Sequence, residues 1–259
     1  MLFQIARVRR EQLNREHRKT WARRARLANN GGDLLWALTG PGPRIIAEVK
    51  PASPSCGRLV RDEELLPLVA AYARGGACAL SVLAEQAYFQ GGGELVSLVR
   101  SLTDLPILWK DFVISPSQIF EAKARGASGV LLIARILDPR ALAAFIHLAN
   151  KVGLLPLVEV HTRQELSKLE GTDERFALGI NNRSLSTMEV DLDTTCSLLP
   201  QAWELNPACV IAESGIRTAG QVEKFMEFGV DGFLIGEALL VAPDPRQKLL
   251  ELRGEGRCG

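Results

Sequence analysis

The chain has 259 residues, 47% of them hydrophobic and 24% charged, enough to bury a large core in one α/β barrel or in two small domains. A formal net charge of +1 and a pI near 7.7 give no reason to expect a nucleic-acid or membrane partner. No apolar run approaches the roughly 20 residues that span a bilayer, and the start carries no secretory apolar segment, so a cytoplasmic protein is expected.

Charge is uneven along the chain. The first 30 residues hold Arg7, Arg9, Arg10, Arg15, Arg18, Lys19, Arg23, Arg24 and Arg26 against Glu11 and Glu16, which leaves the remainder net acidic. An Arg-rich start resembles a transit peptide, but no Ser precedes Ser53, so the reading preferred is an amphipathic helix. Phe3, Ile5, Val8 and Leu13 form its loose apolar side, with the bases in solvent or near an anionic ligand.

Beyond residue 44, short runs rich in Val, Ile and Leu alternate with stretches of helical period in about eight rounds. Strands are expected near 45–50, 77–83, 106–110, 129–133, 154–160, 176–180, 208–212 and 232–235. Helices fall between them, as at Thr218 to Phe228, where a Thr cap precedes Val222, Phe225 and Met226 on one face; the last runs from Pro245 through Leu252. The joints RGGACAL, RGASGVLLI and FGVDGFLIG each place Gly where a helix stops in a left-handed cap. The pattern predicts an α/β fold, a (β/α)8 TIM barrel forming one domain over 1–259, with residues 1–44 as an N-terminal helical extension within it. Cys56, Cys78, Cys196, Cys209 and Cys258 are odd in number and lack metal spacing, so free thiols are expected and no metal site. Cys78 and Cys209 read as small core residues.

Five charges end apolar runs: Glu48 and Lys50 in IIAEVK, Lys110 in PILWK, Glu159 in LLPLVEV and Glu213 in CVIAES. Parallel barrel strands open their carboxyl ends onto the active site, and alternate strands share a layer, so charges on the first, third, fifth and seventh strands converge. AESGI and LIGEALL place Gly215 and Gly236 just after the seventh and eighth strands, the loops where barrels bind phosphate on bare backbone amides.

The segments IIAEVKPASPSCG, LSVLAEQAYFQGG, LWKDFVIS, LLPLVEVH, LGINNRSL, IAESGI and LIGEALL, in order from about residue 45 to 240, resemble the strand-end motifs of the indole-3-glycerol phosphate synthases. The basic start resembles that family's N-terminal extension. The resemblance implies a carbon–carbon lyase, a carboxy-lyase of tryptophan biosynthesis that uses no cofactor. Its reaction would convert 1-(2-carboxyphenylamino)-1-deoxyribulose 5-phosphate by ring closure, decarboxylation and dehydration. By the same resemblance Lys110 would protonate the carbonyl, Lys50 would face the substrate carboxylate, and Glu159 would serve as acid–base in dehydration. Glu48, Asn181 and Glu213 would position the lysines and the substrate. Ser53, Ser214, Gly215 and Gly236 would hold the phosphate, and Arg183 would pair with the anionic substrate. Phe89, Phe112, Leu83, Leu131 and Leu157 would enclose the aromatic ring. A lysine crowded by a second cation is expected to lose pKa, with a carboxylate tuning it back.

His161 reads as a loop or cap residue. Ala84, Gly92 and Ser115 stand where the family commonly has Thr, Ser and Asp, and none of the three removes a proposed acid or base. Phosphoribosylanthranilate isomerase is a rival phosphate-binding barrel enzyme, but it would want Cys at the end of the first strand, where Glu48 and Lys50 stand. A non-catalytic phospholigand-binding barrel is the other rival, and it needs no such acid–base set. Expected partners are the small phosphorylated substrate and other tryptophan-pathway enzymes.

Overall fold

The computed structural model describes residues 2–12, 15–26, 28, 31–53, 57–184 and 187–255. Eight parallel strands close into a barrel: β1 (Arg44–Val49), β2 (Ala79–Leu83), β3 (Ile107–Lys110), β4 (Gly129–Ile133), β5 (Leu155–Val160), β6 (Ala177–Asn181), β7 (Val210–Glu213) and β8 (Gly232–Ile235). Each pairs with its neighbours in chain order, and β8 returns to β1 through Arg44↔Gly232 and Ile45↔Phe233. The strands lie within two residues of their expected bounds, because a strand covered on both faces reads as a continuous apolar run.

Two apolar layers follow from alternation along each strand. Outward residues such as Ile45, Val82, Trp109, Val158 and Phe233 pack against the surrounding helices. Inward residues Ile46, Leu108, Leu131, Leu157, Ile211 and Leu234 fill the barrel below the mouth. Cys78 and Cys209 belong to that interior. Burial pushes both thiols up to about 12, so they serve as small core residues.

Helices follow the strands with local signals that explain them. In Pro139–Lys151, Asp138 accepts from the Ala141 amide and Pro139 opens the first turn, while Leu142, Phe145, Ile146 and Ala149 form the buried stripe. Thr218 caps Ala219–Glu227, as expected, and forms a capping box with Gln221, and Pro245–Leu252 ends the series. Gly76, Gly126 and Gly229 close the three similar joints at φ of 82°, 89° and 95°. The crossover after β5 differs from the full helix expected there: it holds Arg163–Leu166 and a 3-10 turn at Ser167–Leu169. Gly171, at φ 75°, turns the chain into the polar run Thr172–Glu174 and ends the helical pattern early.

The N-terminal extension holds helices Leu2–Gln12, Arg15–Ala25 and Leu34–Leu38. Ile5 is buried and Val8 half-buried, as an apolar side requires. Leu13 and the Phe3 side chain lie outside the described residues. The expectation that the bases stand in solvent fails at Arg9, which is buried and bonded to Asp111 through Nε at 3.1 Å and Nη2 at 2.7 Å. Asp111 follows Lys110, so the first helix reaches the carboxyl end of β3. Arg15–Ala25 packs on Pro116–Ala124, with Trp21 between the guanidinium groups of Arg24 and Arg125 at 5.2 and 4.9 Å. Leu34 and Leu38 plug the opposite end, where a side chain on Gly129 would meet Leu34.

Candidate active site

The expected convergence of charges on the odd strands is what the barrel produces. Glu48 points inward from β1 and is 3% exposed, with its two oxygens shared between two lysines. Oε1 lies 2.6 Å from Lys50 Nζ and Oε2 lies 3.1 Å from Lys110 Nζ. Lys110 Nζ also lies 3.6 Å from Glu213 Oε2. Small residues make the room: a Cβ on Gly236 would fall 2.6 Å from Glu48 Oε1, and one on Gly179 would strike Glu213 Oε1. Larger residues at either position would displace the carboxylates.

The pKa shifts divide the charged layer into two parts. Burial opposes the charge on Glu48, but Lys110 and Lys50 outweigh it and hold the carboxyl down at about 2. Burial likewise opposes the Lys110 ammonium, and Glu48, Glu213 and Glu159 together hold its pKa above the ordinary lysine value. The expected loss of lysine pKa is therefore overturned at Lys110, because the carboxylates around it outweigh both burial and the neighbouring cation. Glu213 behaves in the opposite way. Burial and the adjacent Glu159 carboxylate raise its pKa, with Lys110 opposing. Both of its oxygens are buried and lack a hydrogen-bond donor among the described residues.

Asn181, at the end of β6, accepts from the Arg183 amide through Oδ1 at 2.9 Å. The Arg183 guanidinium pairs with Glu237 Oε2 at 3.1 Å and bonds the Met188 carbonyl. Arg217 takes the other Glu237 oxygen at 2.6 Å, so Glu237 bridges the loops after β6, β7 and β8. Ser214 and Gly215 turn sharply after β7, both left-handed at φ 64° and 83°. Asn182 holds that turn by donating to the Ser214 carbonyl at 3.1 Å, while its oxygen accepts from Thr195. Gly236 caps the short helix Glu237–Leu240. Ser53 ends the first strand of a short hairpin, Ala52–Ser53 with Gly57–Arg58, and its side chain lies outside the described residues.

Phe89 and Phe112 meet at the mouth, with ring centroids 6.2 Å apart and planes inclined by 30°. Leu83 is buried at the end of β2, whereas Leu131 and Leu157 lie lower and form the floor under the charges. Glu85, which the motif reading passed over, fixes Phe89: its buried carboxylate accepts the amides of Ala87, Tyr88 and Phe89. The Phe89 carbonyl then receives the Ala52 amide and ties the loops after β1 and β2 together. Of the three departures, Ala84 is buried at the start of this loop, Gly92 adopts φ 145° ahead of Gly93–Leu102, and Ser115 caps Pro116–Ala124 with Gln118. Asn182, Glu85 and Glu237 were missed because each works through backbone or through another side chain. A charge directly after a strand, as at Glu85, was the available signal.

His161 lies in the loop between β5 and the Thr162 cap, as expected, but its ring turns inward. It is buried with Nε2 3.3 Å from Glu159 Oε1 and Nδ1 3.1 Å from Glu165 Oε2. Thr162 and Glu165 have the spacing of a capping box, which was the signal for Glu165. Concavities of about 870 and 380 Å³ lie at the other end of the barrel, the first between Arg163–Arg175 and Gln201–Ala208. Neither is lined by a residue of the charged layer. Among the described residues no cluster of His, Cys, Asp and Glu suits a metal ion.

The sequence profile of the indole-3-glycerol phosphate synthases matches residues 4–252. This chain belongs to that family. The indole-3-glycerol phosphate synthase of Aquifex aeolicus (strain VF5) is 44% identical over 224 residues, covering 86% of each chain. That of Roseiflexus castenholzii (strain DSM 13941 / HLO8) is 41% identical over 265 residues, covering 98% of each. Solved structures share the fold at low identity. Salmonella typhimurium 3-hexulose-6-phosphate synthase has a TM-score of 0.65 at 13% identity, covering 82% of this chain and 97% of that one. A Pyrococcus furiosus tryptophan synthase alpha-subunit has 0.63 at 16%, covering 83% and 100%.

Proposed function

We infer that this synthase closes the indole ring of 1-(2-carboxyphenylamino)-1-deoxyribulose 5-phosphate and releases carbon dioxide and water, with the charged layer as its catalytic apparatus. The observation that carries the assignment of roles is Lys110, an ammonium bracketed by Glu48 at 3.1 Å and Glu213 at 3.6 Å. Its raised pKa keeps it charged at neutral pH, loaded to protonate the ribulose carbonyl as the aromatic carbon attacks. Lys50 would pair with the benzoate carboxylate until carbon dioxide departs. Glu159 would then take and return a proton as the hydroxyl leaves as water.

Glu48 holds both lysines at fixed separation. Asn181 and Glu213 would position the substrate amine and hydroxyls, a carboxyl with a raised pKa being able to donate as well as accept. The amides around Ser214, Gly215 and Gly236, with Ser53, would take the phosphate. Arg183 reaches the same rim but is held by Glu237, so engaging the substrate anion would require exchange of that ion pair. Phe89 and Phe112 would enclose the anthranilate ring above the Leu131 floor.

The N-terminal helices and barrel are read as one folding unit, joined through Arg9 and Asp111. The free thiols Cys78, Cys196 and Cys209 suit a reducing cytoplasm, where other enzymes of the pathway are candidate partners.

The rise of indole fluorescence with purified protein and substrate tests the reading. Wild type should give the rise and Lys110→Ala should abolish it with its circular dichroism unchanged. Near-normal turnover in the variant would remove Lys110 from the acid role. Inorganic phosphate should compete with substrate, and inhibition independent of substrate concentration would remove the phosphate site from the loops after β7 and β8.

A further inference from the structure

A buried imidazole next to a proposed acid–base carboxylate has no part in the roles given so far. His161 Nε2 is buried and has no well-formed hydrogen bond among the described residues, yet it lies 3.3 Å from Glu159 Oε1. Its other nitrogen is held at 3.1 Å by Glu165, whose same oxygen also accepts the His161 amide at 2.7 Å. We propose that His161 is a positioning residue that shares one proton with Glu159 through Nε2, while Glu165 fixes the ring and its tautomer. The proposal rests on the reading of Glu159 as the acid–base of dehydration.

An ionised carboxylate only accepts hydrogen bonds, so Glu165 places a proton on Nδ1 and leaves the neutral ring a lone pair at Nε2. Burial works against the charge on Glu165, but its contacts with His161, with Arg135 beyond, hold its pKa below the ordinary carboxylate value. On the other side, Glu159 has Glu213 and Lys110 around it. Two carboxylates so close favour retention of one proton, which the raised pKa of Glu213 places on that residue, so Glu159 is left to accept another and Nε2 provides a partner for it. A proton taken by Glu159 from substrate is then held between Oε1 and Nε2 and returned to the leaving hydroxyl. No proton is gained or lost over the cycle.

The protein has three histidines, His17, His147 and His161, so histidine labelled with 15N gives few resonances. His161→Gln assigns one of them directly, and His17→Gln with His147→Gln assigns it by elimination. The expected result is a His161 ring that carries a proton on Nδ1 and whose Nε2 resonance moves when Glu159 is changed to Gln. A ring without a proton on Nδ1, or an Nε2 resonance unaffected by Glu159→Gln, overturns the proposal. In kinetics, His161→Gln should lower kcat about tenfold and leave KM within about twofold. The pH profile of kcat in that variant should differ from the wild-type profile, because a proton taken by Glu159 has lost its acceptor. A wild-type profile in that variant also overturns the proposal. If wild type gave no indole fluorescence, the role of Glu159 would fall, while the response of the His161 resonance to Glu159→Gln would still decide whether the proton is shared.

Discussion

Glu48→Gln separates the geometry of the charged layer from its charge. The carboxyl titrates at about 2 against an ordinary value of 4.5. That shift of about 2.5 units corresponds to roughly 3 kcal/mol of stability at neutral pH, at about 1.4 kcal/mol per unit. The sign follows from the depressed folded pKa: the contribution is present above pH 4.5 and is lost as pH falls towards 2. Glutamine keeps the shape and removes the charge, leaving Lys50 and Lys110 facing each other across a mostly buried site. Glu213, 3.6 Å from Lys110, would ionise and recover part of the loss, so a decrease of roughly 2 to 3 kcal/mol is expected at pH 7. Urea unfolding at pH 7 and in steps from pH 4.5 downward measures it, and the gap between variant and wild type should shrink along that series. Equal stability at pH 7 would show that Glu48 is not the ion-paired carboxylate described here.

Other variants probe the remaining parts of the site. Glu213 has a raised pKa, so wild-type stability should fall as pH rises from 4.5 through that raised value; Glu213→Gln should remove this loss, raise Tm above neutral pH and lower kcat. A Tm difference independent of pH would contradict the assignment. Asn182→Ala frees the Ser214 turn and leaves the Thr195 amide and hydroxyl without their acceptor, costing about 2 kcal/mol and weakening inhibition by inorganic phosphate. Unchanged phosphate inhibition would separate that turn from the phosphate site. Arg9→Ala should destabilise by about 3 kcal/mol, because Asp111 would stay buried with only the Gln118 and Phe112 donors described for it. A near-neutral effect in thermal unfolding would mean that the first helix does not rest on the barrel through this pair.

The parts legible from sequence were those with short-range causes. Apolar runs fixed the strands, and their terminal charges marked which ends carry Glu48, Lys110, Glu159 and Glu213, since period-two alternation makes inward positions predictable. The long-range pairings were not legible. Arg9 reads as one solvated base among nine in the first 30 residues, and only closure of the barrel brings Asp111, 102 positions later, against it. The sign of the Lys110 shift also escaped, because it depends on three carboxylates from three other strands outweighing burial. His161 reads as a loop or cap residue, and it does lie in the loop ahead of the Thr162 cap. Nothing local reveals that the ring points into the layer.

The arrangement resolves the electrostatic conflict of an acid-rich layer that is to hold an anion. The substrate inferred for this site carries a carboxylate and a phosphate, yet the layer holds Glu48, Glu159 and Glu213 against Lys50 and Lys110. With all five ionised the pocket would be net negative and would repel its substrate. Retention of one proton by the Glu159–Glu213 pair restores neutrality, and burial together with mutual repulsion favours that proton. Glu48 cannot take this role, because two lysines hold it ionised at about 2. In the inferred mechanism the acidic side of the barrel would carry the proton and the lysine side the anion-binding charge. The two meet at the 3.6 Å contact between Glu213 and Lys110. A substrate carboxylate arriving at Lys50 would raise the proton affinity of the acids further, so binding itself would strengthen Glu159 as the base that takes the substrate's proton.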